Sequence, residues 1–226
     1  MSLDSGQTVP QHVAIIMDGN RRWAKQQGLA AIMGHRKVAQ EMIERLTDFA
    51  IARGIKYLTL WAFSTENWER PADEVDGIMS LFRESLQTQV EKLHRKNVRV
   101  AVIGDISRFP EDIRQQVADF VAQTAKNTAM TVVFALNYGG RDELRRAVRQ
   151  GGEDFEQHLD TKQMIDLPDP DLLIRPGGEQ RLSGFLPWQT VYTELYFSEV
   201  LMPDFDEAEL DKALAEYARR QRRFGK

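Results

Sequence analysis

Apolar residues follow two rhythms that alternate along this chain. Short apolar runs bounded by polar or glycine-rich sequence read as strands: Val13–Met17, Tyr57–Phe63, Val98–Ile103, Thr131–Leu136, Leu172–Ile174 and Glu194–Phe197. Between them, apolar positions recur every three or four residues. Val38, Met42, Leu46 and Phe49 mark one helical face, and Val75, Ile78, Phe82, Leu86, Val90 and Leu93 mark another. Asp73 and Glu74 suit the first turn of that second helix, and His94, Arg95 and Lys96 suit its last. Further helices are predicted over Glu111–Lys126, Arg141–Arg149 and Glu207–Arg222. Strands alternating with helices from end to end predict an α/β fold, a single domain around a mostly parallel sheet. The stretch Gly151–Pro170 is the least regular and reads as a surface excursion. No repeat or linker divides the chain.

In such folds ligands sit beyond the carboxyl ends of the strands, and here those ends carry chemistry. The first apolar run stops at Asp18-Gly19-Asn20, followed by Arg21, Arg22 and Trp23 at the opening of a helix. Glycine lets backbone approach a ligand, free amides and two arginines favour a phosphate, and Asp18 can hold Mg²⁺ against it. An ordinary strand-to-helix turn would use the same residues. The second run ends in Ser64-Thr65-Glu66-Asn67-Trp68-Glu69-Arg70, where Ser64, Asn67 and Arg70 can donate to phosphate oxygens. The fifth ends in Arg175-Pro176-Gly177-Gly178, with Arg181, Leu182 and Ser183 close behind, a second phosphate cradle or a glycine-rich surface loop. Glu194 is a candidate second ligand for a hard cation, and His35, opening a helix at Gly34-His35-Arg36, can donate to phosphate. The third and fourth runs end in Gly104-Asp105 and Asn137-Tyr138-Gly139-Gly140-Arg141, and five such ends on one edge predict a single polyanion site.

Composition narrows the classes. The chain has 226 residues, 42% hydrophobic and 28% charged, with a formal charge of −4, which suits one soluble globular domain and argues against a general nucleic-acid binder. It has no cysteine, so disulfides, thiolate metal sites and cysteine nucleophiles are excluded. Met1–Pro10 is polar without the basic-plus-apolar design of a signal, and no apolar run nears the ~20 residues of a membrane span. A cytoplasmic protein is expected. The basic tail Arg219–Lys226 reads as a solvated helix end.

Taken together, HVAIIMDGNRRWA, FSTENWERP, ALNYGGRDE, DLLIRPGGEQRLSGFLPWQ, ELYF with PDF, and the closing RRFGK strongly resemble the cis-prenyltransferases, bacterial undecaprenyl diphosphate synthases in particular. The resemblance runs from His12 to Lys226, leaving 1–11 as a polar tail. It implies a six-stranded parallel sheet, a hydrophobic tunnel, a homodimer, and Mg²⁺-dependent condensation of an allylic diphosphate, such as farnesyl diphosphate, with isopentenyl diphosphate. Transient contact with the inner face of a membrane would release the product.

By position, the resemblance makes Asp18 the catalytic aspartate and metal ligand. Gly19, Asn20, Arg21, Arg22, Trp23 and His35 become the allylic diphosphate site. Ser64, Thr65, Glu66, Trp68 and Arg70 become further substrate contacts, with Asn67 as the family's proposed proton acceptor. Arg175, Arg181, Leu182 and Ser183 become the isopentenyl diphosphate cradle, and Glu194 the second metal ligand. Asn67 binds a proton too weakly to serve as a base, so an orienting role suits it better. Ala31 departs from the family pattern, where many members carry arginine; Arg36 or Lys37 is the available compensation. Ala62, Met79, Phe82 and Met130 are candidates for the tunnel wall, and equally for an ordinary core. Three other readings stay open: a shorter or branched product, a phosphohydrolase with Asp18 as nucleophile, and a non-catalytic subunit, which would lack Asp18.

Overall fold

The computed structural model describes residues 8–220. Six strands, β1 (His12–Ile16), β2 (Tyr57–Trp61), β3 (Val98–Ile103), β4 (Met130–Ala135), β5 (Leu172–Arg175) and β6 (Glu194–Phe197), form one sheet in the order β3-β4-β2-β1-β5-β6. Every pairing is parallel. β1 is buried at all five positions because both faces of a parallel sheet are covered by helices. Its alternate residues serve two cores. Val13 and Ile15 pack with Leu58, Leu60, Val132 and Ile174 against Leu46, Ala50, Leu210 and Leu214, whereas Ala14 and Ile16 face Tyr138, Phe185 and Leu186.

The helices are α1 (Asn20–Gln26), α2 (Ile32–Lys37), α3 (Ile43–Ala52), α4 (Ala72–Arg95), α5 (Glu111–Thr124), α6 (Gly140–Gly151), α7 (Asp160–Gln163) and α8 (Glu207–Arg219). A widened π turn, Val38–Met42, joins α2 to α3. On the predicted face of α4, Ile78 and Leu93 are buried and Phe82 and Leu86 partly covered; Ile78, Phe82 and Leu86 border a cavity.

Two expectations change. The Gly151–Pro170 stretch is not a simple surface excursion, since Leu159, Asp160, Thr161 and Leu167 are all buried. Its polar members are bonded inside the protein, a feature that irregular periodicity hides. The last helix ends at Arg219, and the rest of the basic tail, Gln221–Lys226, lies outside the described residues, as do residues 1–7 of the polar N-terminal stretch.

Candidate active site

β1 delivers Asp18 to the middle of the sheet edge, where the connections diverge to β2 on one side and β5 on the other. The chain turns at once: the Asp18 amide donates to the Ile16 carbonyl at 2.8 Å, and the Gly19 amide donates to Asp18 Oδ1 at 2.6 Å. Gly19 has φ +100°, and a Cβ there would lie 2.8 Å from Leu201 Cδ2, so both backbone conformation and space demand glycine. Because β5 pairs with β1, Arg175 at its end stands beside Asp18. Its guanidinium is buried. Nη2 donates to Asp18 Oδ2 at 2.9 Å, Nη1 donates to Ser183 Oγ at 2.8 Å and to the Arg181 carbonyl, and Nε has no partner. Arg22 approaches from α1, placing Nη2 3.4 Å from Asp18 Oδ1. Gly177 leaves room for it, since a Cβ there would sit 2.6 Å from that nitrogen.

On the other side, α1 and α2 meet without space between them. A Cβ on Gly34 would lie 2.0 Å from the Asn20 carbonyl oxygen. This contact sets Asn20 Nδ2 3.3 Å from His35 Nδ1 and 3.1 Å from the Met17 carbonyl. Burial, with Arg70 and Arg21 nearby, pulls His35 down to about 4, so it is neutral at physiological pH. Its Nε2 and Asn20 Oδ1 are buried without partners, leaving one donor or acceptor each for a ligand. Arg70 pairs with Glu74 at 2.8 Å, and Arg21 stands 3.7 Å from the same carboxylate.

The Ser64–Glu69 segment is a single tight turn closed by a capping box, in which Asn67 Oδ1 accepts the Ser64 amide at 3.0 Å. Among the described residues Asn67 Nδ2 has no partner. That side chain is therefore held by its own loop with the amide nitrogen left to donate.

Two adjoining cavities meet at this edge. The first, of about 440 Å³, is bordered at its mouth by Asp18, Asn20, His35, Ser64, Glu66, Asn67, Arg70, Arg175 and Ser183. The rest of its lining comes from the Val38–Ile43 segment, α4, α5, β2, β3 and β4 and is mostly apolar, including Val100, Val117, Phe120 and Val121, with Ser85 and Gln89 as polar exceptions. Ala62 and Phe82 belong to this wall; Met79 and Met130 do not border it and are core residues. The second cavity is bordered by Asp18, Gly19, Asn20, Arg21, Arg22, His35 and Arg70.

Most predicted site residues therefore converge. Trp23, Thr65, Trp68, Arg181 and Leu182 do not border either cavity. Trp23 lies under the Lys37 ammonium, Trp68 packs edge-on to Phe63 and Phe109, and the Thr65 amide donates to Tyr138. Leu182 packs on the Tyr138 core, and the Arg181 guanidinium pairs with Glu179, so only its carbonyl serves the Arg175 cradle.

Glu194 is the outlier. It is in register with Leu172, which is in register with Val13, five residues before Asp18; at ~3.3 Å per residue the two residues are offset by about 16 Å along the strands, toward opposite ends of the sheet. There Glu194 accepts a hydrogen bond from Arg220 at 2.9 Å. The sequence pattern missed Lys25, which borders the second cavity beside Ala31; its position one turn beyond Arg22 was the available signal. The suggested substitutes for an arginine at 31 are committed elsewhere: Arg36 grips Glu84 with both contacts at 2.7 Å, and Lys37 pairs with Asp204 at 3.0 Å.

No group of three or more His, Cys, Asp or Glu residues among the described residues could cage a metal ion. The donors fit a different arrangement. Mg²⁺ keeps much of its water and is held by one or two carboxylates plus substrate phosphates, and Asp18, bordering both cavities among arginines, has the chemistry such a site calls for.

The chain is similar in sequence and fold to known proteins. A family model described as putative undecaprenyl diphosphate synthase matches residues 16–225. An isoprenyl transferase of Clostridium perfringens is 46% identical, with 96% of this chain and 90% of that protein aligned. A ditrans,polycis-undecaprenyl-diphosphate synthase of Escherichia coli K12, named as (2E,6E)-farnesyl-diphosphate specific, is 47% identical over 95% of this chain and 89% of its own length. The lavandulyl diphosphate synthase of Lavandula x intermedia, solved with dimethylallyl diphosphate, superposes with a TM-score of 0.91 at 39% identity, covering 96% and 99% of the two chains. A probable undecaprenyl diphosphate synthase from Campylobacter jejuni gives 0.80 at 36% identity, covering 97% and 100%.

Proposed function

Because the chain belongs to the undecaprenyl diphosphate synthase family of prenyltransferases, we propose that it catalyses Mg²⁺-dependent cis-prenyl transfer in one catalytic domain spanning residues 12–226. It condenses isopentenyl diphosphate onto an allylic diphosphate, farnesyl diphosphate by the names of its relatives, to build a long-chain polyprenyl diphosphate such as undecaprenyl diphosphate for the lipid carrier of cell-wall synthesis. The observation that carries this reading is the cleft itself, whose arginine-lined mouth at Asp18 opens into an apolar cavity of about 440 Å³. A phosphohydrolase has use for the mouth but none for that depth. The neighbour named for lavandulyl diphosphate has the same fold, so the fold alone does not choose a product; the names at 47% identity favour the long one.

In this reading Arg22, Arg21, Lys25, Asn20 and His35 receive the allylic diphosphate. Neutral His35 serves as a hydrogen-bonding partner and not as an acid. Arg175 and Ser183, with Arg181 swung from Glu179, receive isopentenyl diphosphate. Mg²⁺ bound through Asp18 and the phosphates would neutralise charge on the leaving diphosphate. Arg22 and Arg175 hold Asp18 in place and face the same charge in a cleft with little water. The allylic carbon–oxygen bond breaks and a carbon–carbon bond forms. A proton leaves isopentenyl diphosphate for an oxygen of a diphosphate, with Asn67 Nδ2 orienting the groups.

Glu194 can join Asp18 only from a second copy of the chain, which accords with a homodimer. Trp188, Val191 and Tyr192, large apolar side chains beside β6, are 42%, 66% and 69% exposed and suit such a contact. No described helix is long and apolar enough to cross a membrane; transient contact at a cytoplasmic membrane face for product release remains part of the proposal. The test is incorporation of labelled isopentenyl diphosphate into organic-soluble product. Incorporation that needs both farnesyl diphosphate and Mg²⁺ supports the reading. Release of inorganic phosphate from simple esters, without incorporation, would replace it with hydrolysis.

A further inference from the structure

The motif ALNYGGRDE has no role in either cradle, yet it contributes to a cluster of buried polar side chains. Glu143, in the first turn of α6, is 1% exposed, and each group bonded to it donates. The Tyr138 hydroxyl reaches Oε2 at 2.5 Å, the Asp160 amide reaches Oε1 at 3.0 Å, and Gln189 Nε2 lies 3.2 Å from both oxygens. Asp160, equally buried, accepts two bonds from Arg146 at 2.8 and 2.7 Å and one from the Gly104 amide at 3.0 Å. A core that needed only stability would do as well with apolar side chains of the same volume.

The members of this cluster lead to the strand-end loops. The Tyr138 amide donates to the Phe63 carbonyl at 3.0 Å, and its own carbonyl accepts from Thr65 at 3.3 Å and from Trp61 Nε1 at 3.1 Å. Tyr138 is thus the bed on which the Asn67 loop lies. Two residues on, the Gly140 amide donates to the Gly184 carbonyl at 2.8 Å, and the Tyr138 ring meets Phe185 edge-on at 5.9 Å. Gln189 closes the same segment, which begins with Ser183, the hydroxyl that holds Arg175. The line Tyr138–Glu143–Gln189 therefore spans from the loop bearing Asn67 to the loop bearing Ser183.

We infer that Glu143, acting through Tyr138 and Gln189, is a positioning residue that fixes the spacing between the Asn67 loop, with its substrate contacts, and the isopentenyl diphosphate cradle. The inference rests on the proposed two-substrate reading. Transfer between two held substrates depends on their separation, and a displacement of about 1 Å can cost on the order of a hundredfold in rate. The Asn67 loop keeps its own capping box, and Arg175 keeps its own bonds to Asp18 and Ser183. Loosening the tie thus shifts one site against the other without dismantling either.

Tyr138→Phe removes only the hydroxyl, and Glu143→Gln keeps the volume while changing one acceptor into a donor. Both variants are compared with the wild type for melting temperature, and for kcat and the two KM values per folded molecule. The tie predicts that kcat falls by about tenfold or more while both KM values stay within about twofold. The double variant should be little worse than Glu143→Gln alone, because both changes cut one connection. A lowered melting temperature with unchanged kcat would make the cluster purely structural and overturn the inference. A rise in one KM alone would confine the tie to one site and overturn it as well. If Glu143→Gln does not fold, Tyr138→Phe decides by the same criteria. Absence of prenyl transfer in the wild type would instead remove the functional reading, and the positioning role with it.

Discussion

Replacing Arg175 with lysine keeps the charge and removes the fork. The guanidinium makes three donations in different directions, to Asp18, to Ser183 and to the Arg181 carbonyl, from a residue only 5% exposed. An ammonium on a flexible stem can satisfy one of these directions at a time. Two bonds are lost, each worth ~1.5–3 kcal/mol when a charged group takes part. The Asp18 side chain is 29% exposed, so water recovers part of that loss. We expect a net cost of about 2 kcal/mol, which in a domain of this size lowers the melting temperature by roughly 4–8 °C. The effect on activity is larger, because Asp18 and Ser183 lose their common anchor: on the order of a hundredfold in kcat/KM for isopentenyl diphosphate. Thermal melts and steady-state kinetics with each substrate varied in turn measure both. Activity within about threefold of wild type, with an unchanged melt, would show that the fork does not organise the site.

Asp18→Ala should affect both activity and stability. A strand-end acid contributes little packing, but here it is the partner of a buried arginine, so turnover should fall by at least about a hundredfold and stability by about 1–3 kcal/mol; wild-type turnover with Mg²⁺ present would remove Asp18 from the mechanism. Ala31→Arg should tighten farnesyl diphosphate binding about tenfold or more in titration calorimetry, because Arg36 is tied to Glu84 and cannot stand in. No gain would mean that Lys25 already fills the role. His12 and His35 are both held near 4, against 6.5 for an unperturbed histidine. Since the folded values are the lower ones, stability is full above about pH 6.5 and is lost as the pH falls toward 4, by up to about 3 kcal/mol for each group. Urea titrations across that range should show the loss, and a flat profile would refute it.

The strands were legible because both faces of a parallel sheet bury apolar residues, and β1 to β6 begin and end within about two residues of the apolar runs. The edge on which Asp18, Asn67 and Arg175 meet followed from strand direction alone. Side-chain commitments did not. Nothing in the local pattern says that Arg181 turns to Glu179, that Arg36 is held across a helix interface by Glu84, or that Trp68 belongs to an aromatic cluster. Glu194 reads as a strand-start acid, and only the sheet register places it toward the opposite end of the sheet from Asp18. Glu143 looks like any first-turn helix acid. Its burial comes from Gln189 and Asp160, far away in sequence, which no periodicity reveals.

In the proposed reaction the cleft joins two diphosphate substrates and threads an apolar chain into the adjoining cavity. Reversed-phase chromatography of the products formed from farnesyl diphosphate, isopentenyl diphosphate and Mg²⁺ decides whether it does. The expected products are polyprenyl diphosphates several units longer than the primer, with new cis double bonds, and none when Mg²⁺ is chelated. Recovery of unextended farnesyl diphosphate from a folded enzyme with Mg²⁺ present would contradict it.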